Sequence, residues 1–167
     1  IKRFKIKSPK QYIEFFDDII LNHTIKIFLK NSAISHVLLV LNKKHKKYFN
    51  KIIRDKKVLH TYGGNTRQKS VFYGLKFIKK LKPINVLIHD ANRPFTDTKL
   101  ISEILNKLKK FKAVVPRVKI QDTIKKIENN KITPLNRDKI FALQTPQGFR
   151  FKDLLDKHST DSNKNFT

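Results

Sequence analysis

Val86, Leu87 and Ile88 form a short unbroken apolar run, with His89 and Asp90 at its C-terminal end. A run this short, apolar at consecutive positions, predicts a strand covered on both faces, as in a parallel sheet with helices on either side. In open α/β sheets ligands sit outside the carboxyl ends of the strands, so Asp90 falls where chemistry is expected. Ala91 is small enough to admit a substrate close to the backbone. Arg93 adds a permanent cation with planar donors suited to phosphate, and Pro94 stops the segment running into another regular element. Taken alone, the Asp90 and Arg93 pair fits either a metal–phosphate site or a brace across a turn.

The surrounding pattern agrees with an α/β chain. Apolar residues recur at helical spacing in 21–30, as do Val71, Leu75 and Ile78 and the set Leu100, Ile101, Ile104, Leu105 and Leu108. Thr96 or Asp97 is placed to cap the last of these helices. Residues 36–41 (HVLLVL), 58–62 and 113–118 read as strands, 43–53 as a basic helix and 151–157 as a closing helix. Gly63 and Gly64 precede the helix that contains Ser70. They allow positive φ and close backbone approach, and the helix start behind them offers free N–H groups to an anion or a base edge. Residues 121–132 alternate around Glu-Asn-Asn and read as a two-stranded arm, too small to bury itself without a partner surface. The order predicts a three-layer α/β sheet with one protruding hairpin arm at about 121–134. No internal repeat or linker divides the chain.

At 167 residues the chain is long enough for one domain with a real core. Its net charge of +25 would suit nucleic acid, but only seven of its 38 basic residues are arginine. The other 31 are lysines spread along nearly every segment beside abundant Ile and Asn. That fits compositional drift better than a selected binding stripe, while still favouring phosphorylated small molecules. A basic nucleic-acid-binding module would bind with steep salt dependence. The absence of cysteine excludes disulfides, thiolate nucleophiles and Cys-ligated zinc, and the six histidines lack metal-ligand spacing. No apolar run approaches membrane-span length, and a cytoplasmic protein is the simplest expectation.

Several separated motifs stand in order: PKQY (9–12), GGxxRxxS (63–70), HDAxRPF (89–95), DT (122–123), NR (136–137) and QTPQGF (144–149). Together they resemble the 2-C-methyl-D-erythritol 4-phosphate cytidylyltransferases of the non-mevalonate isoprenoid pathway, over essentially the whole chain. The stretch 145–151 looks particularly like forms fused to a cyclodiphosphate synthase. The resemblance implies a Rossmann-like nucleotidyltransferase that joins CTP to methylerythritol phosphate and releases pyrophosphate, with Mg²⁺ sharing the triphosphate charge. It implies that Arg3 and Lys10 stabilise the transition state, with Arg137 on the arm. Gly64, Asn65, Ser70 and Ala91 would contact the nucleotide. Asp90, Arg93, Thr123, Thr145 and Thr167 would face the sugar phosphate. The arm would reach a neighbouring subunit's site in a homodimer.

Asn65 and Thr66 stand where acidic residues are common in that family, so base recognition there would rest more on backbone groups. The family's first strand and its Ala-Ala-Gly loop are expected before Ile1, and further acidic and lysine-bearing segments after Thr167. The 167 residues by themselves are therefore expected to have little activity. Ribitol-5-phosphate cytidylyltransferase shares much of the pattern and is the nearest alternative. A remnant that keeps the fold without function is a blander one.

Overall fold

The computed structural model describes residues 8–160. Arg3 and Thr167 lie outside the described residues. The elements run β1 (Glu14–Phe15), β2 (Asp18–Ile19), α1 (Ile20–Leu29), β3 (Val37–Leu41), β4 (Val58–Tyr62), α2 (Arg67–Ile78), β5 (Asn85–Ile88) and α3 (Thr98–Leu108). They continue with β6 (Ala113–Val114), β7 (Arg117–Lys119), β8 (Lys125–Glu128), β9 (Lys131–Pro134), β10 (Phe141–Leu143), β11 (Gln147–Arg150) and α4 (Phe151–Thr160).

Alternation along β3 assigns the layers. Leu39 and Leu41 are buried with Ile25 of α1, whereas Leu38 and Val40 meet α2 at Gly74. Successive strand side chains point to opposite faces, so α1 and α2 cover opposite sides of β3. α3 packs against α1 and β11, and α4 packs against α2 and β11. The result is three layers, with α1 and α3 on one face of the strands and α2 and α4 on the other.

β3 and β4 pair in parallel, Val37 opposite Val58 through Leu41 opposite Tyr62. β5 departs from expectation. Its hydrogen-bonded neighbour is β11, antiparallel, with Ile88 opposite Gln147 and Asn85 opposite Arg150. Among the described residues no ladder joins β5 to β3, and all four β5 residues are half-buried rather than enclosed. Local packing gives the reason for the antiparallel partner. β11 returns from the arm with Gly148 facing α3, where a Cβ would collide with Ile104 and crowd Leu108 and Leu87. Only glycine lets that strand lie between α3 and β5.

Three other segments differ from the sequence pattern. Residues 43–53 do not form an α-helix: Lys43–Lys51 is a succession of 3₁₀ turns with no buried residue, capped by Asn42. Its lysines recur at three- and four-residue spacing, which penalises an α-helix by like-charge repulsion. The expected strand at 113–118 is split into β6 and β7 around Pro116, which has no N–H for a ladder. The β1–β2 hairpin was not foreseen; Phe16 takes φ 54° in its turn, a conformation costly for a bulky residue and not readable from composition.

One buried polar residue ties α1 to the 3₁₀ segment. Asn22 is 4% exposed. Its amide donates to Asp18 Oδ1 at 2.6 Å and to the Lys51 carbonyl at 2.8 Å, and accepts from the Ile53 N–H at 2.9 Å. Asn22→Ala leaves these groups unpaired and should cost about 2–3 kcal/mol in urea unfolding. Burial alone would raise the pKa of Asp18. Hydrogen bonds from Lys26, Asn22 and the Ile19 N–H, with the Lys26 charge, hold it below the usual carboxylate value instead. The folded pKa is thus lower than the unfolded one, and the carboxylate's contribution is complete above the unfolded value of about 3.9. It is lost as pH falls through the folded value. The stability gap between wild type and Asp18→Asn should therefore close on acidification below about pH 4, read from urea midpoints.

Candidate active site

The sequence between β5 and α3 forms a tight turn rather than an open loop. The Arg93 N–H donates to the Asp90 carbonyl at 3.1 Å. The Ala91 carbonyl accepts from Thr24 Oγ1 of α1 at 3.1 Å. Asp97 caps α3 by accepting from the Lys99 N–H at 2.9 Å, which fixes where the turn must end.

The turn presents Asp90 to two guanidiniums. Arg93 Nε lies 3.0 Å from Asp90 Oδ2, and Arg67 Nη2 lies 3.5 Å from Oδ1. Arg93 Nη1 donates to Gln144 Oε1 at 2.6 Å. Ion pairs this exposed contribute at most about 1 kcal/mol each to stability, so their role is orientation. They fix one face of each guanidinium and leave its remaining donors for an anion.

The glycine turn lies at the end of β4. The Gly63 N–H extends the ladder to the Leu41 carbonyl at 2.9 Å. Neither glycine has positive φ. The reason for glycine is space: a Cβ on Gly63 would meet Ser70 Oγ at 2.6 Å, and one on Gly64 would meet Lys69 Cβ at 2.6 Å. Ser70 Oγ accepts from the Gly64 N–H at 3.1 Å and lies 2.9 Å from the Thr66 carbonyl and 3.2 Å from the Gly64 carbonyl. It shapes the turn from within. Thr66 caps α2 by accepting from the Lys69 N–H at 3.1 Å. Asn65 is exposed on the same turn. Arg67, the first residue of α2, carries the link from this turn to Asp90.

The structure thus brings Asp90 and Arg93 together, holds Ala91 in the same turn, and joins the Gly64–Ser70 segment to them through Arg67. Thr145 lies beside Gln144 and lines, with Arg93, Phe15 and Phe95, a cavity of about 650 Å³; its Oγ1 is buried without a hydrogen-bond partner. Lys10 opens a 3₁₀ turn whose Tyr12 enters the core beside α1. Among the described residues no hydrogen bond or ion pair joins Thr123 or Arg137 to the Asp90 turn. Both are exposed, and Arg137 Nη1 pins the base of the arm by donating to the Gln121 carbonyl at 2.9 Å. Both strands of the arm, β8 and β9, are exposed throughout, with Asn129 and Asn130 at positive φ in the turn between them. Sequence reasoning missed Arg67, Gln144, Thr24 and His89 as parts of the site. Arg67, His89 and Gln144 stand inside the quoted motifs, whereas nothing local marks Thr24.

Among the described residues no three of His, Asp or Glu gather to hold a metal ion. Asp90 is already engaged by two guanidiniums, and Asp97 caps α3.

Helices on both faces of a parallel β3–β4 pair and an antiparallel β5–β11–β6 sheet, with a glycine turn and cations at the strand ends, define a nucleotidyltransferase-type α/β domain. The sequence model of the IspD family, 2-C-methyl-D-erythritol 4-phosphate cytidylyltransferase, matches residues 2–167, and the chain belongs to that family. It is 40% identical over 166 residues to the bifunctional enzyme IspD/IspF of Wolbachia pipientis wMel, covering 95% of this chain and 41% of that protein. It is 34% identical to the 2-C-methyl-D-erythritol 4-phosphate cytidylyltransferase of Clostridioides difficile strain 630, covering 99% of this chain and 71% of that one. The crystal structure of 4-diphosphocytidyl-2C-methyl-D-erythritol synthase from Anaerococcus prevotii DSM 20548 superposes with a TM-score of 0.84 at 30% identity, covering 95% of this chain and 71% of that chain. The chain spans about two fifths of the length of the bifunctional relatives it matches.

If the glycine turn is shaped by lack of space, Gly64→Ala should cost about 1–3 kcal/mol by overpacking against Lys69. Faster amide exchange at residues 64–70, relative to α3, is the accompanying readout.

Proposed function

We propose that residues 1–167 form a single cytidylyltransferase domain that transfers CMP from CTP to 2-C-methyl-D-erythritol 4-phosphate. A phosphate oxygen of the sugar alcohol attacks the α-phosphorus of CTP in line. The bond to the β-phosphate breaks and pyrophosphate leaves with the electron pair. No covalent enzyme intermediate is required, so positioning and charge stabilisation supply the rate. The observation that carries this reading is the joining, through Arg67 and Asp90, of the glycine turn to the Arg93 turn. It sets the glycine turn beside a guanidinium suited to a second phosphate.

In this reading Gly64, Asn65, Ser70 and Ala91 face the nucleotide. Ser70 acts there through the turn it holds, its Oγ engaging the Gly64 N–H and carbonyl so that the neighbouring backbone groups read the base edge. Asp90, Arg93 and Thr145 face the sugar phosphate. Asp90 accepts from substrate hydroxyls while keeping Arg93 in place. Lys10 and Arg3 neutralise charge on the reacting phosphoryl group. Magnesium enters as the MgCTP complex and spreads the triphosphate charge. Arg137 and Thr123, with Thr167 as a further substrate contact, complete the site in a homodimer, the arm of one subunit reaching the other. The exposed apolar residues Ile127 and Ile132 of the arm, 72% and 63% accessible, support a partner surface for it. The pool of CTP places the reaction in the cytoplasm. Among the described residues no helix is long and apolar enough to cross a membrane.

The test is CTP-dependent pyrophosphate release by the whole gene product with methylerythritol phosphate, against ribitol 5-phosphate as the competing acceptor. Turnover with the former alone is expected. Turnover only with ribitol 5-phosphate would reassign the substrate, and none with either would reject the reading. Arg93→Ala should lower kcat/KM about 100-fold or more, as removal of a positioned phosphate-binding cation does.

A further inference from the structure

His89 is the residue between β5 and the Asp90 turn, and the reaction scheme gives it no role. Its ring packs on Phe28 of α1 with centroids 5.0 Å apart. Its Nε2 lies 3.0 Å from the Arg93 carbonyl and 3.3 Å from Thr96 Oγ1. Its Nδ1 is buried with no partner. These contacts determine the tautomer. A carbonyl oxygen only accepts, so Nε2 must carry the proton and donate to Arg93. A proton on Nδ1 would be a buried donor with nothing to receive it. Burial accordingly pushes the pKa of the ring down, partly offset by its bond to the Arg93 carbonyl and by the Asp90 charge.

We propose that neutral His89 is a positioning residue for the sugar-phosphate side of the site, holding the Arg93 end of the turn by an Nε2–H bond to the Arg93 carbonyl. The turn has three fastenings. Its own Arg93 N–H to Asp90 carbonyl bond closes it. Thr24 of α1 holds Ala91. His89 holds Arg93 and is itself seated on Phe28, so α1 grips the turn at two points. The Thr24 fastening serves the residue assigned to the nucleotide. The His89 fastening serves the residue assigned to the second phosphate. Loss of the His89 bond should therefore be felt mainly by the sugar phosphate.

This inference rests on the cytidylyltransferase reading for its kinetic test and on geometry alone for its spectroscopic one. His89→Phe keeps an aromatic ring against Phe28 and removes the donor; His89→Gln replaces the ring but keeps an N–H at similar reach. In the whole gene product, His89→Phe should raise KM for methylerythritol phosphate about tenfold, the equivalent of one hydrogen bond, with KM for CTP changed less than about twofold. His89→Gln should recover most of the loss. Wild-type KM values in His89→Phe, or equal impairment in both variants, would overturn the proposal in favour of plain packing. The independent measurement is the imidazole nitrogen–proton correlation spectrum of the wild-type protein at pH 7. A neutral, Nε2-protonated ring is expected, whether or not the protein turns over CTP and whether or not the variants fold. A ring protonated on Nδ1 overturns the proposal.

Discussion

A single carboxylate held between two guanidiniums is the point on which the site depends. Asp90 stands at the end of a four-residue strand, and its partners come from opposite directions, Arg93 from its own turn and Arg67 from the first residue of α2. Neither pair contributes much to stability at this exposure. Each instead restricts the rotamers of a long, flexible cation, so less freedom is lost when an anion binds. The carboxylate also offsets part of the repulsion between two cations so placed. Without it, two uncompensated positive groups in a chain of net charge +25 would repel each other.

The scaffold supplies this geometry by close approach of backbones more than by bulk. Gly148 lets β11 lie against α3 and β5, which brings Gln144, a few residues upstream, within reach of Arg93. Gly63 and Gly64 let the turn after β4 fold over Ser70. α1 then bridges the layer, packing Ile25 on β3 while Thr24 and Phe28 hold the turn after β5. α1 is thus a structural element of the core and a support of the site at once, although it contributes no side chain expected to touch substrate.

Much of this was legible in the sequence. The helices at 20–29, 67–78 and 98–108, the strands at 37–41 and 58–62 and the arm follow from apolar period, caps and the Asn-Asn turn. Asp90 with Arg93 was legible as a pair, because three residues across a turn bring side chains together. What failed was the neighbourhood of each strand. The run 86–88 is equally apolar whether its partner is parallel or antiparallel, and the partner, β11, is 59 or more residues away. The glycines illustrate the same limit. The sequence marks that a side chain is excluded there, but whether conformation or crowding excludes it depends on Lys69, Ser70 and Ile104. Gln144 stands in the quoted QTPQGF motif without a role being marked for it, and Thr24 has no local signature at all. Their roles exist only once tertiary contacts place them beside Ala91 and Arg93.

The arm follows a different logic. β7 with β10 and β8 with β9 form two successive antiparallel pairs that extend from the body, and Arg117 lies over the Phe141 ring at 3.9 Å. Val118, Ile127, Ile132 and Leu143 are all at least half exposed along it. An isolated two-stranded ribbon is marginal in water, and a row of exposed apolar residues makes it more so. Yet the ribbon carries Arg137, bonded at its base, and Thr123, neither of which is bonded to Asp90 within the chain. In the proposed homodimer, covering the ribbon and delivering those two residues to a site would be one event, the approach of a second copy. A homodimer joined through the arm would couple completion of the site to burial of the surface that makes one subunit costly to leave alone.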